Sequence, residues 1–210
     1  DTPLLWGRWR GRPLLVADPP PPPWEEGSAD RTLFLYRLLA DLGVEKVVLT
    51  TACASLAPAV LPAGRVGRVR DHLDFSGANP MRCCREADRG APLFPDLTRA
   101  YDPVLRREAE RGEMVCPELL LAAVPGPALP TPAEYAFYRN CGAEAAAMRG
   151  PQEVVAAVQA GLRVLLLAAA TQEIRLPEPA PADLEGMMAA AEEAAPRVVD
   201  LVLALVEEEG

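Results

Sequence analysis

The stretch Val47-Val48-Leu49-Thr50-Thr51-Ala52-Cys53-Ala54-Ser55-Leu56-Ala57-Pro58 decides the fold. A short β-branched and leucine run ends in small residues and then a proline. It reads as a buried strand delivering a tight, small-residue turn at Cys53-Ala54-Ser55. In open α/β sheets ligands bind outside the carboxyl ends of such strands.

Upstream, Pro13-Leu14-Leu15-Val16-Ala17 reads as a strand, stopped by Asp18 and the five prolines Pro19 to Pro23. A proline run adopts the polyproline II form and has no N–H to offer a sheet. Trp24-Glu25-Glu26-Gly27 completes the loop. Asp30 is the expected N-cap of a helix, Gly43 its stop, and Leu35, Leu38, Leu39 and Leu42 its apolar stripe. Residues 13–51 therefore read as one βαβ unit.

Downstream, Val66 to Leu73 reads as a strand carrying Arg70-Asp71-His72, and Asp74 to Leu97 as a long surface loop. Helices are predicted over Pro103–Arg111, Ala133–Asn140 and Gln152–Ala160. Strands are predicted over Leu119–Val124, Gly142–Met148 and Leu162–Ala170. A proline-dense turn, Pro125 to Pro132, follows the first of these strands. A last helix starts near Asp183 with Leu184, Met187, Met188, Ala191, Ala195, Val198, Val202 and Leu205 on one side. Pro196 inside it predicts a kink or a split.

Thirty acidic residues against 21 basic ones give a net charge of -9, which argues against a general nucleic-acid binder. The longest apolar run, Leu162 to Ala170, is interrupted by Arg163 and far shorter than the roughly 20 residues of a membrane span. Five cysteines at irregular spacing, with no histidine near Cys83-Cys84, indicate neither a disulfide framework nor a zinc site. A reducing, cytoplasmic setting is the expectation, with no membrane and no nucleic acid as partner. The chain opens at Asp1 with no visible signal peptide, and residues 1–210 read as a single domain.

Several strings, in order, resemble the trimeric purine nucleoside phosphorylase family, which includes methylthioadenosine phosphorylase. They are Leu42-Gly43-Val44, Val48-Leu49-Thr50 with Leu56 and Pro58, Arg70-Asp71-His72-Leu73, and Phe75-Ser76-Gly77 with Asn79-Pro80-Met81-Arg82. Next come Phe94-Pro95 with Ala100-Tyr101-Asp102, Gly126-Pro127 with Thr131-Pro132-Ala133-Glu134, Gly142-Ala143 with Met148, and Gly161-Leu162-Arg163-Val164. The resemblance implies an α/β fold, a mixed twisted sheet flanked by helices. It implies no cofactor, with phosphate as co-substrate displacing a purine from the ribose of a nucleoside. Phosphate needs N–H groups and cations. The departing purine needs a hydrogen-bond donor or a proton as negative charge develops on it.

Carried over, Thr51 stands at the family's asparagine, and Ala52 at the alanine whose backbone N–H touches phosphate. Trp24 stands at a sugar-contacting tyrosine, Leu129 at an aromatic position, Met148 under the ribose, and Thr171 at its own counterpart. Gln172 takes the place of the asparagine that donates to the leaving purine and is the catalytic candidate, its donor displaced by one extra methylene. The departures are as informative. The Pro19–Pro23 run replaces the phosphate arginine and histidine, Pro130 the base-binding glutamate, Arg149 a small hydroxyl residue, and Gly186 the sugar-side histidine. The family's Gly-Ser phosphate turn has no counterpart in residues 1–210.

Simpler readings stand beside these. His72, the chain's one histidine, reads as a hydrogen-bonded histidine closing a strand, and Arg149 as a salt-bridged surface residue. Glu134 reads as a helix-start glutamate, Cys53 as a small buried thiol, and Glu207-Glu208-Glu209 as a solvated end. The expectation is a phosphorylase-like protein with lost or strongly reduced catalysis. Its purine nucleoside and phosphate ligands apply if it is active, as a possible homotrimer or part of a larger assembly. The alternative is a non-catalytic paralogue serving as a structural or interaction subunit.

Overall fold

The computed structural model describes residues 4–84, 92–110 and 116–207. The middle of the expected 74–97 loop, Arg111, Glu208 and Glu209 lie outside them. In chain order the elements are β1 (Leu4–Trp9), β2 (Arg12–Ala17), α1 (Ser28–Asp41), β3 (Lys46–Ser55), β4 (Val66–Asp74), α2 (Pro103–Glu108) and β5 (Glu118–Ala123). Then follow α3 (Pro132–Asn140), β6 (Ala145–Ala147), α4 (Pro151–Gln159), β7 (Arg163–Glu173) and α5 (Leu184–Glu207). A 3-10 turn spans Pro80–Cys83.

Five strands close into a barrel in the order β3-β6-β5-β4-β7. β3 and β7 are parallel, as are β4 with β5 and β5 with β6; β3 with β6 and β4 with β7 are antiparallel. The expected mixed, helix-flanked sheet is therefore present, closed on itself. β7 shows why the most apolar run became its central strand. Val164, Leu166, Ala168 and Ala170 belong to the cluster that holds Leu35, Leu39, Val154 and Ala157 of α1 and α4. Leu165 and Leu167 alternate to the other face and meet Leu105 of α2 with Ala194, Leu201 and Leu205 of α5. A strand covered by helices on both faces must be apolar at every position.

Four expectations change. The chain makes no turn at Cys53-Ala54-Ser55: β3 continues through them, and the register with β7 shifts between Cys53 and Ala54 instead. A bulge of this kind re-aims side chains without ending the strand. The βαβ unit is absent, because β2 pairs with β1 alone in a two-stranded sheet. Arg10 and Gly11, with φ of 47° and 83°, make the tight two-residue turn that folds β1 onto β2. α1 starts two residues before Asp30, which lies in its first turn rather than capping it. α5 is one helix through Pro196. Its buried residues are Ala194, Leu201 and Leu205, packed on β7 from both sides of the proline, while Leu184 and Met188 are exposed.

The start of β7 is fixed by charge. Asp102 caps α2, accepting from Val104 and Leu105 N–H at 2.8 and 2.9 Å, and accepts Arg163 Nε and Nη2 at 2.8 and 3.0 Å. Arg163 and those backbone donors hold the carboxyl down at about 2. A depressed folded pKa gives stability that is present above the unfolded value of about 3.8 and lost as pH falls towards 2. Screening at the partly exposed arginine limits the effect to about 1–2 kcal/mol. Urea midpoints at pH 5 and pH 2.5 check this. The drop is expected to shrink in Asp102→Asn, and an equal drop in both proteins would refute it.

Candidate functional site

The second half of β3 carries the site residues because three elements meet beside it. Thr51 and Ala52 pair with Ala168 and Ala169 of β7. β6 pairs with β3 only at Ala54 and Ser55, so the chain leaving β6 at Met148 and Arg149 passes alongside the rest of β3. Thr51 Oγ1 donates its single proton towards Arg149 O at 3.3 Å, with Ala52 O at 3.2 Å competing for it. Ala52 itself is exposed. Met148 is half-buried and packs on the cluster of Leu56, Val124, Tyr135 and Ile174.

Thr171 and Gln172 lie inside β7 rather than after it. Thr171 is buried and its hydroxyl reaches Cys53 O at 3.4 Å. Gln172 is opposite Ala54, just past the bulge, and its Oε1 is buried without a hydrogen-bond partner among the described residues. The structure thus brings Thr51, Ala52, Met148, Thr171 and Gln172 together on β3, β7 and the end of β6. Trp24 is joined to the group indirectly: its indole lies on Gly126, so close that any Cβ there would overlap the ring. The strand before Gly126 ends beside β6, with Val124 N donating to Ala147 O at 2.9 Å. Leu129, three residues on, is 45% exposed.

One ion pair sets the electrostatics beside these residues, and residue types alone do not announce it. Arg149 Nη2 donates to Pro20 O at 2.5 Å, and its Nη2 and Nε reach Glu153 Oε1 at 3.0 and 3.2 Å. Glu153 accepts Gly150 N–H on its other oxygen at 2.9 Å, and its side chain is only 8% exposed. Arg149 is a salt-bridged residue as expected, yet largely covered, and it straps the proline run to the start of α4. The readable signal was the glutamate three residues into α4, the position from which a side chain reaches back to the helix start. Burial raises the pKa of Tyr36, and the Glu153 carboxylate raises it further. The Arg149 charge is therefore already matched, and the proline carbonyl it holds contributes no cation.

Of the simpler readings, those of His72, Cys53 and Glu134 hold, whereas Glu207 is not a free solvated end: it pairs with Arg10 at 3.0 Å and accepts Trp9 Nε1–H at 3.3 Å. His72 sits within β4, its Nδ1 2.8 Å from Tyr101 Oη, and burial lowers its pKa below the usual value. Burial pushes the Cys53 thiol up to about 12, so no thiolate nucleophile forms there. Glu134 and Thr131 form a reciprocal cap, with Thr131 N–H on Glu134 Oε2 at 2.6 Å. No cluster of three or more His, Cys, Asp or Glu side chains suited to a metal occurs among the described residues, nor a helix long and apolar enough to cross a membrane.

The fold is shared with solved structures: a Schistosoma purine nucleoside phosphorylase in complex with guanosine superposes with a TM-score of 0.90. At 23% identity it covers all of this chain and 79% of its own. Among curated proteins, purine nucleoside phosphorylase 1 of Bacillus subtilis is 36% identical over 149 residues, 68% of this chain and 53% of that protein. The corresponding protein of Geobacillus stearothermophilus is 31% identical over 166 residues, 77% and 60%. Bos taurus purine nucleoside phosphorylase is 34% identical over 153 residues, 69% and 52%. The matched part thus spans between half and three fifths of these relatives' lengths. The family model described as the phosphorylase superfamily matches residues 2–207. The chain belongs to that superfamily, as a member of the purine nucleoside phosphorylase family.

Proposed function

We propose that residues 1–210 form one phosphorylase-type domain in which phosphate-dependent cleavage of purine nucleosides is lost or strongly reduced. The observation that carries this reading is the Arg149 strap. Phosphorolysis needs cations and N–H groups free to take a doubly charged anion. Here the loop that faces the strand end is proline, its Pro20 carbonyl points an acceptor at the Arg149 guanidinium, and Glu153 neutralises that guanidinium. Ala52 supports a remaining phosphate contact through its N–H; Gln172 can serve the purine only through its Nε2 donor, because the Oε1 left unpaired among the described residues is an acceptor. Thr51, Thr171, Met148, Trp24 and Leu129 would frame the nucleoside. Pro130 offers no carboxylate to the base.

Losing one preorganised charge-stabilising donor costs about 10²–10³ in rate, and several are replaced together. The probes follow from the Schistosoma protein, which is described in complex with guanosine and with inosine. Phosphorolysis of both nucleosides in excess phosphate is to be compared with the Bacillus subtilis protein assayed in parallel. Turnover at least about a thousandfold lower is expected. Phosphate-dependent turnover within tenfold of the relative, falling in Gln172→Ala, would defeat the reading.

The second reading, a non-catalytic cytoplasmic subunit of a homotrimer or larger assembly, draws on the β1–β2 hairpin. Leu5 and Trp6 are each 67% exposed there and Val16 54%, more apolar surface than a free hairpin carries comfortably. Sedimentation velocity at micromolar concentration discriminates: a monomer would leave this second reading without support.

A further inference from the structure

A small pocket of about 30 Å³ lies behind the strap, where the proline run, the start of α1 and the start of α4 converge. Pro21, Pro23 and Pro80 give it apolar walls, Ala29 and Thr32 face it from α1, and Gln152 and Glu153 line it from α4. The informative side chain is Gln152, which is 95% buried (5% exposed).

Its amide orientation follows from counting protons. Ser76 Oγ lies 2.5 Å from Asp74 Oδ1 and has one proton, which that carboxylate takes. The Ser76 lone pairs are filled by Ala78 N–H at 3.1 Å and by Gln152 Nε2 at 2.6 Å. Exchanging the amide's oxygen and nitrogen would set Gln152 Oε1 against an oxygen with no proton left to give, so the amide cannot be turned round. Gln152 Oε1 is then a fixed acceptor, and it is buried with no donor among the described residues. Native structures rarely leave such an atom unpaired, and those that do invite a ligand or a functional explanation.

The pocket has a complementary side. α1 begins without a side-chain cap, and its first turn lines the pocket at Ser28 and Ala29. Ser28 N–H already donates to Glu25 O at 3.2 Å, which leaves the following N–H groups of the first turn, from Ala29 on, to seek an acceptor. A ligand therefore has to donate to Gln152 and accept from the start of α1. Glu153 already serves Arg149 and Gly150, and no basic side chain among the described residues lines the pocket, so neither a bare cation nor a bare anion matches both sides. About 30 Å³ holds about two water-sized groups. An N–H₂ and a carbonyl oxygen on one carbon have that size and polarity. We infer that this pocket is a binding site for a primary carboxamide head group, separate from the nucleoside site and independent of whether that site turns over.

Acetamide is the probe and acetone, which accepts but cannot donate, is the control. On ¹⁵N-labelled protein, acetamide is expected to shift the Gln152 side-chain amide and the backbone amides of Ser28, Ala29 and Asn79 saturably at millimolar concentration. Acetone is expected to shift none of them saturably. Gln152→Met should weaken acetamide at least tenfold; Ala29→Leu, which fills the pocket from α1 and leaves the Ser76 network intact, should do the same if Gln152→Met does not fold. A blocked glutamine residue tests the source: saturation by acetamide alone assigns the pocket to a free small molecule, and saturation by both assigns it to any chain presenting the group. Equal shifts with acetone, acetamide binding that both variants retain, or no saturable shift at all (a pocket filled by water only) would each overturn the assignment.

Discussion

Gly150→Ala is expected to lower stability by about 3 kcal/mol, or about 10 °C in melting temperature for a domain of this size. Two costs add. Gly150 has φ of +114°, a backbone conformation open to glycine and strained for any L side chain. A Cβ there would also stand 2.9 Å from Leu166 Cδ2 in the fully buried centre of β7. The position cannot relax by simple rotation, because Gly150 N–H is held by Glu153 and Gly150 O accepts from Val154 N–H at 2.9 Å. Chemical denaturation of the two proteins is the measurement. A loss below about 1 kcal/mol, or a gain such as Gly→Ala gives at a permissive site, would show that the start of α4 is not constrained as described.

This junction also shows what the sequence disclosed and what it withheld. The run Leu162 to Ala170 announced a strand buried on both faces, since it contains one charged residue and that residue lies at its start. Glu134 announced the start of its helix, and the structure adds Thr131 as its capping partner. The resemblance chose the candidate positions on β3 and β7, and strand pairing puts Thr51 beside Ala168 and Ala54 beside Gln172. What failed were inferences from local chemistry that long-range pairing overrides. Small residues after Thr51 suggested a turn, yet β7 supplied partners that kept Cys53 to Ser55 in the strand. The strand before the prolines suggested a βαβ unit, yet the Arg10-Gly11 turn gave it a nearer partner. The Arg149–Pro20 contact joins residues 129 apart and uses a backbone carbonyl, which every residue has, so no residue type could advertise it.

Arg149→Ala is expected to cost about 3 kcal/mol and to leave phosphate affinity unchanged, and the pairing of those results is what matters. Truncation leaves the Glu153 carboxylate, 8% exposed, with only Gly150 N–H to serve it, and deprives Pro20 O of its donor. Removing one partner of a buried ion pair typically costs about 3–5 kcal/mol; the 24% exposure of Arg149 reduces that. The proline run, freed at Pro20, keeps its attachment through Ser28 Oγ on Pro21 O at 2.7 Å, so the loss stays short of unfolding the domain. Cleavage near Trp24 by an aromatic-directed protease should rise in step. If Arg149 served instead as the cation of a phosphate site, phosphate would raise the melting temperature of the native protein above that in chloride of equal ionic strength. That increment would then vanish in Arg149→Ala. The strap predicts no increment in either protein, because a guanidinium already matched by Glu153 and Pro20 O has little to gain from exchanging those partners for a hydrated anion. A phosphate-specific rise of several degrees in the native protein, lost on truncation, would move Arg149 from the scaffold into the binding site and with it restore the case for catalysis.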